Sequence, residues 1–194
     1  MSQAVLDRIR ADTTALTAHD DRRVGSRGHA AARAWTVNRM EELGLRPYAG
    51  DSFVLPYFDH GINFANVVGV IAPPDAGMVE ASPVVLGAHY DTVHGTPGAD
   101  DNAASIAVVF EVAARLLQAP PERPVVIAIF DAEEPPYFHS PAMGSVRFVT
   151  DHSKENVHAA IILDLIAHGV PLERLEDLVA LMGAESHPAP GPTL

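Results

Sequence analysis

The 194-residue sequence contains no cysteine. That excludes disulfide bridges and thiolate metal sites, and it leaves the redox compartment open. Basic residues are scarce: 13 Lys and Arg stand against 25 Asp and Glu, a formal net charge of -12. A chain this acidic has no basic stripe to neutralise phosphates, which argues against nucleic acid as a partner and equally against anionic membrane surfaces. No uninterrupted apolar run approaches the roughly 20 residues a membrane-spanning helix needs. The opening Met1-Ser2-Gln3-Ala4-Val5-Leu6-Asp7-Arg8-Ile9-Arg10 is broken early by charge and has no apolar centre of the signal-peptide kind, so the expected location is cytoplasmic. Internal repeats and low-complexity linkers are missing as well.

What is present is an ordinary globular composition, 47% hydrophobic and 20% charged, in a length that suits one α/β domain rather than two. Residues 2–18 read as a helix with Leu6, Ile9 and Leu16 on one face, within an N-terminal segment 1–20. Ser26 is placed to cap a second helix that runs to about Leu43, where Gly44 stops it. Asp51–Phe58 and Phe64–Ala72 read as strands paired antiparallel across Asp59–Asn63, followed by a loop at Pro73-Pro74-Asp75-Ala76-Gly77.

The pattern then becomes alternating strand and helix. Pro83–His89 and Pro124–Asp131 are buried apolar strands and Ala159–Asp164 is a third strand; Asn102–Gln118 and Met143–His152 are helices, the first with Ile106, Val109, Phe110, Ala113 and Leu117 at core spacing. The expected fold is α/β: a mostly parallel, mixed sheet with helices on both faces. Leu172–Met182 fits either a helix or a buried strand, and 187–194 reads as a coil tail.

In such sheets ligands collect beyond the C-terminal strand ends. Three segments fall there: Gly87-Ala88-His89-Tyr90-Asp91-Thr92-Val93, Gly98-Ala99-Asp100-Asp101-Asn102-Ala103, and Phe130-Asp131-Ala132-Glu133-Glu134. With Asp164 they supply one imidazole and several carboxylates, a ligand set suited to two zinc ions and a reactive water. His89 and Asp91, two apart in an extended segment, point the same way, so Asp91 can accept the second ring N–H and fix the tautomer. Asp101 opens the following helix, where a carboxylate can bridge two metals. Glu133 and Glu134 are neighbours with different directions; one can bind metal while the other handles the proton of the water. Trp35 and the remaining histidines (His19, His29, His60, His94, His139, His152, His158, His168) read as core packing and as surface residues, respectively.

At these residues the chain resembles the M28 family of zinc peptidases, the bacterial aminopeptidase type. Gly87–Val93 matches its first metal segment, Asp100-Asp101-Asn102-Ala103 its bridging segment, Phe130–Glu134 with Gly144-Ser145 its catalytic pair and following turn, and Ile161-Ile162-Leu163-Asp164 its fourth ligand segment. Arg23-Val24-Gly25-Ser26 and Asn66-Val67-Val68-Gly69 also look like landmarks of the family. The resemblance implies that His89, Asp101 and Asp164 hold one zinc, that Asp101 and Glu134 hold another, that Glu133 is the general base with Asp91 behind His89, and that the Asp101–Asn102 peptide bond is cis. The implied reaction is hydrolysis of an N-terminal peptide bond.

The family takes a fifth ligand, a histidine, from far beyond the position of Asp164. Here only thirty residues follow Asp164, and neither His168 nor His187 sits in a matching segment. Three expectations compete: an active two-zinc aminopeptidase acting on peptides; a truncated, impaired member of the family holding one zinc or none, with residues 1–194 forming one incomplete domain that self-associates through its open side; and a one-zinc transferase of the glutaminyl-cyclase type, against which Asp101-Asn102 speaks.

Overall fold

The computed structural model describes residues 2–73 and 82–167. Its elements are α1 (Gln3–Leu16), α2 (Arg27–Leu43), β1 (Arg46–Pro47), β2 (Val54–Asp59), β3 (Ile62–Ile71), β4 (Val84–His89), α3 (Ala104–Gln118), β5 (Val125–Phe130), α4 (Gly144–Asp151) and β6 (Ala159–Ile162). Pro74–Gly77, His168, Leu172–Met182, His187 and the 187–194 tail lie outside the described residues.

Local sequence explains most of the boundaries. The Ser26 hydroxyl accepts the His29 backbone N–H at 3.0 Å and so caps α2. Gly44 ends the helix in the left-handed region at φ 75°, with the Leu45 N–H returning to the Met40 carbonyl. Ser26→Ala is expected to cost about 1 kcal/mol, read as a lowered midpoint in urea unfolding without a change in slope. The β2–β3 turn is tighter than the sequence suggests: Asp59 pairs with Ile62, leaving only His60 and Gly61, both at positive φ, to reverse the chain.

The strands form one six-stranded sheet in the order β1-β3-β5-β4-β6, with β2 also paired to β3. The parallel part is confined to β5-β4-β6, while β1, β2 and β3 join antiparallel. The sheet is therefore mixed, but less parallel than its apolar strands suggest. Alternation along the strands sends Val67, Leu86, Ala88, Ile127 and Ile129 to one face, packed with Leu16, Ala32, Met40, Ile106 and Phe110 from α1, α2 and α3. Val68, Val85, Val126, Ala128 and Phe130 go to the other face, against Phe148 of α4. Trp35 packs edge-on against Phe110, as expected of a core residue. At the far edge, β6 is solvent-exposed, and β4 is the only strand paired with it among the described residues.

Parallel register brings three chemistry-bearing strand ends together. His89 lies opposite Phe130, and Gly87 lies opposite Ile162. The ladder continues one step beyond the strands, from the Tyr90 N–H to the Phe130 carbonyl and from the Leu163 N–H to the Gly87 carbonyl.

Candidate metal centre

His89 is the last residue of β4, and its side chain is only 4% exposed. Its Nε2 lies 3.0 Å from Asp101 Oδ1, 3.6 Å from Asp164 Oδ1 and 3.7 Å from Glu133 Oε2. Its Nδ1 lies 3.4 Å from Asp91 Oδ1. These are close approaches without good hydrogen-bond geometry: both ring nitrogens and Asp101 Oδ1 are buried and unpartnered. Two donor triads, His89 with Asp101 and Asp164, and His89 with Glu133 and Glu134, each gather within 4.8 Å. All the site residues expected from sequence meet at this one place.

Asp91 organises the back of the cluster. It is almost fully buried, and its two carboxylate oxygens accept the backbone N–H groups of Glu133 at 3.0 Å and Glu134 at 2.9 Å. One side chain thus holds the segment carrying the glutamates and lies against the His89 ring. Ala132, just before that pair, is fully buried in the left-handed region at φ 54°, an uncommon place for a residue with a Cβ.

The segment carrying Asp101 differs from the sequence expectation. Asp101 does not open α3. It and Asn102 have non-helical backbone angles, and the helix proper starts at Ala104; the peptide bond between them is cis, as the resemblance implies. The reason is tertiary: the Asn102 amide donates to the Leu163 carbonyl at 2.9 Å, and Asp100 accepts the Ala167 N–H at 2.7 Å. This segment is pinned to the exit of β6 instead of being drawn into the helix.

The electrostatics are those of crowded carboxylates. Burial opposes charge on His89, but Asp101, Asp164 and Asp91 outweigh it and hold the imidazole protonated well above its usual range. Burial, with Asp101 next, pushes Glu134 up to about 7; burial also raises Glu133, against the pull of His89. The His89 contact lowers Asp164. Asp91 is likewise lowered, because His89 and the two glutamate N–H groups overcome its burial. The unpartnered imidazole nitrogens and Asp101 Oδ1, beside two glutamates that burial keeps from ionising, fit a divalent cation, which would supply both the missing partner and the missing positive charge.

Sequence reasoning missed the buried support of this site. His29 is not a surface residue. It is 5% exposed, bonded through Nε2 to Asp131 Oδ1 at 2.7 Å and stacked on Tyr90. Asp131 Oδ2 accepts the Ala65 N–H, its own N–H donates to Asn66 Oδ1, and the Tyr90 hydroxyl donates to the Ala65 carbonyl. His152 is also half-buried, against Tyr48 and Phe148. His19, His60, His94, His139 and His158 are exposed, as expected.

A family model described as Peptidase family M28 matches residues 66–187. Among curated proteins, the uncharacterized protein YfbL of Escherichia coli (strain K12) is 31% identical over 135 residues, 66% of this chain and 37% of that protein. Endoplasmic reticulum metallopeptidase 1 of Mus musculus is 34% identical over 116 residues, 59% of this chain and 12% of that protein. Among solved structures, LapB from Legionella pneumophila superposes with a TM-score of 0.62 at 29% identity, covering 82% of this chain and 43% of that one. The chain thus spans less than half the length of each of these relatives.

Proposed function

The chain belongs to peptidase family M28, and from that premise we propose that it is a zinc-dependent aminopeptidase hydrolysing N-terminal peptide bonds, with a two-metal site and Glu133 as general base. The observation that carries this reading is the pair of donor triads sharing His89, one with Asp101 and Asp164 and the other with Glu133 and Glu134. Zinc would be held by His89, Asp101 and Asp164 at one position and by Asp101 and Glu134 at a second. Bound there, it supplies Lewis acidity toward the peptide carbonyl and a lowered pKa for the attacking water.

The chain's own residues do the rest. Asp91 presents the glutamate segment through two backbone N–H bonds and stands 3.4 Å from His89 Nδ1, in place to accept its N–H and orient the ring once Nε2 binds metal. Glu133, less buried than His89, takes the proton from water as the new C–O bond forms. It returns that proton to the amine nitrogen as the C–N bond breaks. Its raised pKa brings it nearer to neutral, where a group can both accept and give a proton.

The two positions have unequal donor sets. The first has three protein donors gathered within 4.8 Å; for the second the resemblance assigns Asp101 and Glu134, and of these only Glu134 belongs to the other donor triad among the described residues, with His89 and Glu133. We therefore expect about one tightly held zinc per chain after dialysis, with a second ion taken up only in excess zinc and aminopeptidase turnover low until it is. Elemental analysis across a zinc titration, alongside hydrolysis of an aminoacyl chromogenic substrate, tests this. His89→Ala should lose the tight ion. A wild-type chain that retains no zinc at all would remove the basis of the reading.

A further inference from the structure

Arg22 is fully buried, whereas its neighbour Arg23 is exposed. Its guanidinium meets no carboxylate at ion-pair distance among the described residues; its bonds go to backbone carbonyls. Nε donates to Tyr90 O at 2.7 Å, Nη2 to Gly98 O at 3.1 Å, and Nη1 to Pro97 O and, at 3.4 Å, to Leu16 O. The Arg22 backbone N–H donates to Thr92 Oγ1 at 2.8 Å.

Those acceptors flank two metal segments. Tyr90 lies between His89 and Asp91, and Pro97-Gly98 leads into Asp100-Asp101. The fit is close: a Cβ on Gly98, which sits at φ 58°, would lie 2.2 Å from the Asp101 carbonyl oxygen and 2.9 Å from Arg22 Nη2. A buried charge without a direct partner is costly. Here the countercharges are Asp91, Asp101 and Glu134, whose field opposes the burial that draws the Arg22 pKa down to about 10, so the group stays charged at neutral pH.

We propose that Arg22 is a positioning residue for the metal centre: its guanidinium fork ties the segment leaving β4 to the segment entering Asp101. This rests on the metal reading given above, and deepens it by naming what sets the spacing of His89 and Asp101. A lysine could keep the charge but could not span the four carbonyls, because the planar fork is what matches them.

The test is Arg22→Lys on the full chain, read by zinc affinity in chelator competition and by the visible absorption of bound Co²⁺, which reports ligand number and geometry. Met40→Ala is the control. Met40 is fully buried in the core, with its sulfur beside Gly69 of β3, so its truncation is expected to destabilise the fold without removing any bond to the metal segments. Arg22→Lys is expected to weaken zinc binding by about 10- to 100-fold, the usual effect of losing an outer support, and to change the Co²⁺ spectrum. Met40→Ala should leave both unchanged despite an equal or larger drop in melting temperature. If Arg22→Lys does not fold, Thr92→Val removes the Arg22 N–H acceptor with little change of shape and should shift affinity in the same direction by a smaller factor. Wild-type affinity and spectrum in whichever variant folds would overturn the role of Arg22 alone. A wild-type chain that binds neither ion would overturn the metal reading itself.

Discussion

Glu133→Gln is expected to reduce hydrolysis of an aminoacyl chromogenic substrate by about 10²- to 10⁴-fold, the range for removing a general base, while leaving zinc content unchanged. The separation of the two readouts follows from the geometry. Glu133 approaches His89 Nε2 at 3.7 Å, the longest of the three carboxylate approaches to that nitrogen, and its side chain is the more solvent-facing of the adjacent glutamates. Glutamine preserves size and the backbone N–H that Asp91 accepts, so the segment keeps its place. What it cannot do is take a proton. Glu134→Gln should behave oppositely, lowering zinc uptake at the second position before it alters the first. The assay compares both variants with wild type in excess zinc, with metal content measured on the same samples. A Glu133→Gln chain with activity within tenfold of wild type, or one that loses its tight zinc, would refute the assignment of Glu133 as base.

The site was readable from sequence where one strand or one loop determines a side chain's place. His89, Glu133, Glu134 and Asp164 follow continuous apolar runs, and parallel strands put those ends on one edge whatever the details of packing. The same holds for Ser26 and Gly44, whose capping is local chemistry. Asp101 was harder. An Asp-Asp-Asn run before an apolar helix looks like a helix start, and only contacts to Leu163 and Ala167, more than sixty residues away, show that it is not. Arg22 was invisible for the same reason. Its partners at Tyr90, Pro97 and Gly98 are distant in sequence, and nothing local separates it from exposed Arg23. The antiparallel pairing of β3 with β5 is hidden in the sequence because buried strands carry the same apolar run in either direction.

Asp131 belongs to that hidden class, and its removal should have the largest effect on stability. It follows the end of β5, two residues before Glu133, yet it faces away from the metal side chains and is fully buried. Oδ1 meets His29 Nε2 at 2.7 Å and Oδ2 accepts the Ala65 N–H at 2.8 Å, so one carboxylate joins α2, β3 and β5. Asp131→Ala leaves both of those groups buried without partners, at about 1–3 kcal/mol each, together with a small cavity. The expected loss is about 3–5 kcal/mol, a large share of the roughly 5–15 kcal/mol that holds a typical domain folded. Asp131→Asn keeps one acceptor oxygen and should lose distinctly less. A double-mutant cycle makes the test specific: once Asp131 is alanine, adding His29→Ala should cost much less than His29→Ala alone, because the imidazole has already lost its partner. Urea unfolding of the four chains measures each term. Additive losses would show that the two residues are not coupled, and an Asp131→Ala chain within about 1 kcal/mol of wild type would show that the network contributes little to the fold.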